Sequence, residues 1–221
     1  MERDEGLDSV YAARFQARER RQKAAMWVEI VRFLDRFVTP DRPVLDIGCD
    51  AGYFINHIAR PERWATDLRD VSAHLEPGIR FVQSDGLALG SVLPADHFGT
   101  IFMSNYLEHL ASPDAVMEQL RVARELLEPS GRVIVLQPNI RLVGGRYWDF
   151  IDHRVPLTER SLVEAGELAG LRTVKLITRF LPFTTKSVLP QSPALVRLYL
   201  ALRFAWPVFG RQTLYVAERP R

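Results

Sequence analysis

Short apolar runs alternate with helical stretches through the middle of this chain, and three of the runs end in or contain an aspartate. Val44-Leu45-Asp46-Ile47 leads into the turn Gly48-Cys49-Asp50-Ala51-Gly52, and Arg63-Trp64-Ala65-Thr66-Asp67 and Ile79 to Asp85 repeat the pattern. Gly99 to Asn105 gives a fourth run and Arg132 to Gln137 a fifth, whose unbroken apolar centre suits a strand covered on both faces. Strands that alternate with helices build an open, mostly parallel sheet wound on both faces. Such sheets bind ligands outside the carboxyl ends of their strands, where the strand order reverses. Asp46, Asp67 and Asp85 lie at or near those ends.

The remaining elements follow from capping and breaker residues. Residues 9–37 read as helical, with Phe15, Ala24, Trp27, Ile30, Val31 and Leu34 near helical spacing, and the Thr39 to Pro43 stretch breaks that helix. A helix is expected from the glycine turn to about Ala59, where Pro61 stops it. Ser112 and Pro113 open another, with Val116, Leu120, Ala123 and Leu127 on one face and Pro129-Ser130-Gly131 at its end. Thr158 caps a helix over 159–169 that Gly170 terminates, and Arg172 to Phe180 and Gln212 to Glu218 read as two closing strands. The expected fold is α/β: a doubly wound, mostly parallel seven-stranded sheet with an antiparallel closing strand and an N-terminal helical addition. It forms one domain over 1–221: helices to residue 40, a core over 42–180, an insert over 181–211 and a closing strand over 212–221.

Composition narrows the class. The chain has 221 residues, 47% hydrophobic and 25% charged, which excludes disordered and low-complexity classes. A single cysteine, Cys49, excludes a disulfide scaffold and a cysteine zinc cluster. The charged opening Met1 to Gly6 lacks the apolar run of a signal peptide, so a cytoplasmic location is expected. The net charge of +2 conceals an asymmetry, because residues 170–221 hold nine Lys or Arg and one acid, Glu218. That excess fits an anionic partner or a solvated basic rim.

A strand running into a glycine turn and then a helix is a nucleotide-type turn, since glycine lets the backbone turn sharply and approach a ligand. Asp67 follows Asp46 by about 20 residues, the separation at which an acid meets a ribose hydroxyl pair. A dinucleotide needs bare backbone against its pyrophosphate, and Asp50 stands where the second glycine of such a turn belongs. A carboxylate beside a pyrophosphate is repelled in a poorly screened site. No Gly-Lys-Ser/Thr follows either, so a Walker loop is absent. S-adenosyl-L-methionine (SAM) carries a sulfonium and an ammonium and no phosphate, so acids around the turn favour it over a nicotinamide dinucleotide.

The stretch VLDIGCDAGYF at 44–54 resembles motif I of the class I SAM-dependent methyltransferases. The likeness continues through WATDL at 64–68, QSDGL at 83–87, FGTIFMSNYLEHL at 98–110, SGRVIVLQPN at 130–139 and TERSLVEAGELAGL at 158–171. The resemblance implies that Asp46 orients the loop or meets the methionine ammonium, and that Gly48, Cys49 and Gly52 admit the cofactor. It implies further that Asp67 holds the ribose hydroxyls, with Leu68 beside the adenine. Asp85 would accept from the adenine amino group, with Gly86 and Leu87 alongside, and Asn105 would lie under the methionyl part. Asp50 departs from the family's usual glycine, but aspartate tolerates a left-handed backbone better than most residues.

Methyl transfer chiefly requires holding acceptor, methyl and sulfur in line, and a hydroxyl acceptor also needs a base, usually histidine. Of five histidines, His57, His74 and His97 fall outside the expected site. His109 follows the fourth strand and His153 the fifth, and these two are the catalytic candidates. Ser104-Asn105-Tyr106-Leu107 lacks the Asn/Asp-Pro-Pro-Tyr stretch of nucleic-acid amino methyltransferases, so no nucleic-acid substrate is expected. Quinone-type O-methyltransferases carry a further glutamate where Asn105 stands, so no metal is expected. The insert over 181–211 is apolar with Arg197 and Arg203 set into it, too interrupted for a membrane span. It fits a lid over the acceptor, a contact in a homodimer, or a peripheral membrane surface. The expected activity is O-methylation of a small-molecule, sugar or glycolipid-precursor acceptor, lipid-linked or free and anionic. The alternative is a non-catalytic SAM-binding or interaction protein of the same fold.

Overall fold

The computed structural model describes residues 17–183 and 192–221. Helix α1 (Ala17–Leu34) runs into a short 3-10 turn, Asp35–Phe37, and the expected helical residues 9–16 lie outside the described residues. The strands are β1 (Val44–Ile47), β2 (Arg63–Asp67), β3 (Ile79–Gln83), β4 (Phe98–Ser104), β5 (Leu127–Pro138), β6 (Arg172–Ile177) and β7 (Gln212–Glu218). Helices α2 (Pro113–Leu126), α3 (Glu159–Leu168) and α4 (Pro193–Ala201) complete the larger elements.

The seven strands form one sheet in the order β3-β2-β1-β4-β5-β7-β6. The first five are parallel, and β7 runs antiparallel to both β5 and β6. Strand order reverses between β1 and β4, so the crevice expected to bind ligand opens above Ile47 and Ser104.

Alternation along β5 explains the two-faced burial. Val133 and Val135 join a core cluster with Leu120 of α2 and Leu162 of α3. Ile134 and Leu136 point to the opposite face and join Trp27, Val31 and Leu34 of α1. The caps read from sequence hold. Ser112 Oγ accepts from the Ala115 N–H at 3.2 Å, worth about 1 kcal/mol for such a cap, and Thr158 and Ser161 form a reciprocal capping box.

Three expectations about elements need correction. No continuous helix follows the glycine turn: residues 50–57 are a series of turns, with isolated bonds from Asn56 N–H to Gly52 C=O and from Ile58 N–H to Phe54 C=O. Tertiary packing sets this, since Phe54 stacks on Phe102 with centroids 3.9 Å apart and Ile55 and Ile58 are buried. Leu127 does not lie on the face of α2 but begins β5, which extends back through Pro129-Ser130-Gly131. The sixth strand stops at Ile177, and Phe180 instead packs against Phe33 and Trp206 at 5.1 and 5.4 Å between centroids.

The described part of the insert lies against α1. Leu200 and Trp206 are buried with Phe33, and the Trp206 indole N–H donates to the Tyr199 carbonyl at 3.0 Å. Residues 184–191 of the insert, Lys186 among them, lie outside the described residues. Arg197, expected to face an anionic acceptor, is instead tied to the buried Glu29 of α1 through Nε at 3.0 Å and Nη2 at 2.6 Å. With Arg32 Nη1, which donates to Oε2 at 2.6 Å, the fork satisfies both oxygens of a buried carboxylate while the Arg197 side chain itself stays largely exposed. No helix among the described residues is long and apolar enough to cross a membrane.

The Arg197 hydrogen bonds hold the Glu29 carboxyl below its ordinary value, against the opposing effect of burial and with help from Arg32. A depressed carboxylate pKa contributes stability above the unfolded-state value and loses it as pH falls through the folded value. Stability to urea is therefore expected to decline below about pH 4. An Arg197→Gln variant should melt several degrees lower than the wild type at neutral pH, with a flatter decline on acidification.

Candidate active site

The turn after β1 is built from left-handed residues. Gly48 and Gly52 both have φ of 68°, and Asp50 has φ of 49°, the conformation expected of an aspartate replacing glycine. The Gly48 and Cys49 N–H groups both donate to the Thr66 carbonyl of β2, at 2.9 and 3.0 Å, which fixes the turn to the neighbouring strand. The Cys49 side chain faces the core rather than the crevice, and burial raises its thiol pKa, so only its backbone is available to a ligand.

Four charged groups meet around this turn. Asp46 is buried beneath it. Burial drives its carboxyl well above the ordinary range, a hydrogen bond from the Ile55 N–H opposes this, and Asp67 and Asp50 add to the rise. Asp67 Oδ2 accepts from the Asp50 N–H at 3.0 Å, and Oδ1 accepts from the Arg69 N–H at 3.0 Å. The Arg69 guanidinium bridges Asp67 Oδ1 at 3.3 Å and Asp50 Oδ1 at 3.1 Å. Sequence reasoning missed Arg69. A cation two residues past the strand-end acid, facing an aspartate where glycine is usual, was the signal that could have found it.

Asp85 is exposed at the end of β3, where one carboxylate oxygen accepts the Leu87 N–H at 2.9 Å and caps a short turn. Leu68 and Leu87, each just past a strand-end acid, are 56% and 36% exposed. Two exposed leucines beside the carboxyl ends of β2 and β3 offer apolar flanks for a flat heterocycle. Asn105 is exposed at the end of β4 with φ of 47°, its N–H donating to Leu136 of β5 at 2.9 Å. The structure thus brings Asp46, Gly48, Cys49, Gly52, Asp67, Leu68, Asp85, Gly86, Leu87 and Asn105 to the carboxyl edge of β1–β4.

Tyr106 connects these parts. A Cβ on Gly48 would lie 2.5 Å from the Tyr106 ring, and one on Gly86 would lie 2.0 Å from its hydroxyl. That hydroxyl donates to Gln119 Oε1 of α2 at 2.8 Å. The ring therefore spans from the turn after β1 to the turn after β3, a role no sequence pattern marks.

The second group lies beyond β4 and β5. His109 and His153 meet edge to face with ring centroids 5.0 Å apart. His109 Nδ1 is 3.2 Å from the Asp152 carbonyl oxygen and 3.5 Å from its carboxylate. His153 packs against Tyr147 at 4.6 Å and Phe150 at 5.0 Å. Glu108 is fully buried, burial raises its pKa against the opposing His109, and its carboxylate oxygens have no hydrogen-bond partner among the described residues. Ligand atoms of Glu108, His109 and His153 lie within 4.8 Å of one another, a grouping that could hold a metal ion. The other histidines lie elsewhere: His97 is against Glu62 and Trp64, His74 is in a surface turn, and His57 lines a hollow with Pro61 and Arg63 near the start of β2.

This sheet order, with a left-handed glycine turn above the switch point and acids ending the next two strands, defines the class I methyltransferase fold. A family described as a methyltransferase domain matches residues 16–176, and the chain belongs to it; SAM is its methyl donor. Solved structures agree in fold. A SAM-dependent methyltransferase from Archaeoglobus fulgidus superposes with a TM-score of 0.61 at 20% identity, covering 86% of this chain and 93% of that one. A chain of the Trm112 methyltransferase-activator complex from Haloferax volcanii gives 0.68 at 16% identity, covering 96% and 97%. Geranyl diphosphate C-methyltransferase from Streptomyces coelicolor, solved with S-adenosyl-L-homocysteine, gives 0.61 at 12% identity, covering 86% and 76%. No curated protein sequence matches the chain.

Gly48→Ala should destabilise the fold by about 3 kcal/mol, combining left-handed strain of about 1–2 kcal/mol with overpacking against Tyr106. The measurement is the urea midpoint. A loss under about 0.5 kcal/mol, the scale of a neutral surface change, would mean that Tyr106 does not fill the space above Gly48.

Proposed function

We propose that this enzyme methylates a hydroxyl of an anionic, lipid-linked or sugar-bearing small molecule, with His109 as the base and His153 beside it at the acceptor. The observation that carries the reading is the meeting of these two histidines, from segments 44 residues apart in sequence, His109 lying five residues past the end of β4 at Ser104. A carbonyl oxygen can only accept, so the contact from His109 Nδ1 to the Asp152 carbonyl puts the ring proton on Nδ1. That leaves the Nε2 lone pair free to take a proton.

When bound, SAM supplies a methyl group already activated on a sulfonium. The residues present suit it: the carboxylates of Asp50 and Asp67 favour a cationic ligand over a pyrophosphate. In this reading Asp67 receives a ribose hydroxyl at Oδ2, since a carboxylate has about four acceptor positions and three are used by Asp50 and Arg69. Asp85 accepts from the adenine amino group between Leu68 and Leu87. Gly48, Cys49 and Gly52 offer backbone, Asp46 holds the turn, and Asn105 lies under the methionyl part. Arg69 keeps Asp50 from repelling Asp67, so the replacement of glycine by aspartate is compensated locally. His109 takes the acceptor's hydroxyl proton at Nε2, and Tyr147 and Phe150 position His153. The arginines of the C-terminal part suit a phosphate-bearing acceptor.

Calorimetry with SAM is the first test. Micromolar binding is expected, and Asp67→Asn should weaken it about tenfold or more, the scale of hydrogen bonds to a charged group. Absence of binding by the wild type would sink the enzymatic reading. Across a panel of hydroxylated lipid and sugar acceptors, His109→Gln should lower turnover by about 10²–10⁴ with SAM affinity unchanged. Turnover should also survive a chelator. Loss of activity that a divalent cation restores would make Glu108, His109 and His153 ligands and remove the base from His109.

A further inference from the structure

We propose that the turn over residues 203–211 docks this protein on an anionic lipid bilayer. Phe204, Val208 and Phe209 are 77%, 60% and 53% exposed, whereas the other described phenylalanines are all buried or half-buried. Three guanidinium groups surround the same turn. Arg179 Nη1 donates to the Pro207 carbonyl at 3.1 Å, and Arg211 Nη1 donates to the Val208 and Gly210 carbonyls at 3.0 Å each. The Arg203 guanidinium lies 5.9 Å from the centre of the Trp206 ring. Among the described residues no carboxylate forms an ion pair with any of these three, whereas Arg197 nearby is claimed by Glu29.

The turn is held from beneath. Trp206 is buried against Phe33 and Phe180, and its indole bond to Tyr199 joins the turn to α4. The phenylalanines therefore cannot fold inward without displacing that anchor. On α4, Leu195 and Leu198 stand three residues apart, both exposed, and present one apolar face.

The charge pattern selects the occupant. Nucleic acid would satisfy the arginines and leave the aromatic side chains in water. A second copy would bring the same uncompensated arginines to a self-complementary contact, where they repel. An anionic bilayer meets both demands, because apolar side chains enter the boundary between headgroups and acyl chains while guanidiniums sit on lipid phosphates. The nine basic residues against one acid over 170–221 extend that attraction beyond the turn. The proposal rests on the proposed function only in that a surface-bound enzyme would meet a lipid-linked acceptor there.

Co-sedimentation of the full chain with vesicles tests it. The protein should bind phosphatidylcholine vesicles containing about one third phosphatidylserine and ignore pure phosphatidylcholine, with most binding lost in about 0.5 M salt. A triple Arg179→Gln, Arg203→Gln, Arg211→Gln variant should partition on the order of 100-fold more weakly, at about fivefold per arginine near an anionic surface. A Phe204→Ser, Phe209→Ser variant should lose about as much through its apolar area. Both should keep wild-type SAM affinity, which separates loss of docking from misfolding. Failure of the wild type to bind anionic vesicles, or wild-type binding by the phenylalanine variant, would overturn the proposal. So would a phenylalanine variant that turns a dimer into a monomer without any vesicle binding, which would assign the surface to contact between copies. Vesicle binding that persists while no acceptor is methylated would uphold the docking surface and count against the proposed function alone.

Discussion

The Tyr106 ring, lying across from Gly48 to Gly86, ties together the turns after β1, β3 and β4. Its hydroxyl is fixed by Gln119 of α2, so the helix layer on one face of the sheet sets the height of the glycine turn above the switch point. Any side chain on Gly48 must displace that ring, and any on Gly86 must displace its hydroxyl. The glycines are thus required as much by this packing as by the left-handed backbone of the turn. The opposite helix layer reaches the same turn through the stack of Trp27 on Tyr53, with Lys23 over the Tyr53 ring at 4.4 Å. The turn is clamped from both faces, which leaves its backbone rather than its side chains to meet a ligand.

Clustered acids make that turn electrostatically costly. Asp46 is fully enclosed, and its burial favours the neutral carboxyl. Asp50 and Asp67 are each bonded to Arg69, and Asp67 also accepts the N–H of Asp50 itself. A cationic ligand entering such a site completes a balance that one arginine only begins. This is the electrostatic reason that a sulfonium-bearing cofactor suits the turn, and it holds independently of any resemblance.

The basic, apolar C-terminal part divides into two roles on opposite sides of one layer. Leu200 and Trp206 turn inward, closing the core with Phe33, while the exposed Arg197 reaches back to neutralise the buried Glu29. Phe204, Val208, Phe209 and Arg203 are exposed, with the half-buried Arg179 and Arg211, which have no carboxylate partner among the described residues, beside them. The charge count over 170–221 treats these arginines alike, yet a buried carboxylate on α1 neutralises Arg197 and not the others.

Much of the fold was legible because strand and helix periodicity are local. The parallel strands, the caps at Ser112 and Thr158, the reversed last strand and the acids at strand ends follow from residues close in sequence, and the structure contains them. The sequence likewise marked Asp67, Asp85 and the glycine turn, since a site at strand carboxyl ends is built from residues that follow strands. It misjudged the segment after the turn, where Phe54, Ile55 and Ile58 follow the demands of Phe102 and the core rather than helix propensity. It held the position of Arg69 but not its bridge across two aspartates, and it gave no sign of His109 and His153 in contact. Those arrangements join residues from different elements, and no local pattern encodes the distance between chain segments that only packing brings together. Chain chemistry alone determined the architecture and the kind of turn; tertiary structure decided which charges are paired, which histidines meet and which arginines have no carboxylate partner, because each depends on what lies across the gap.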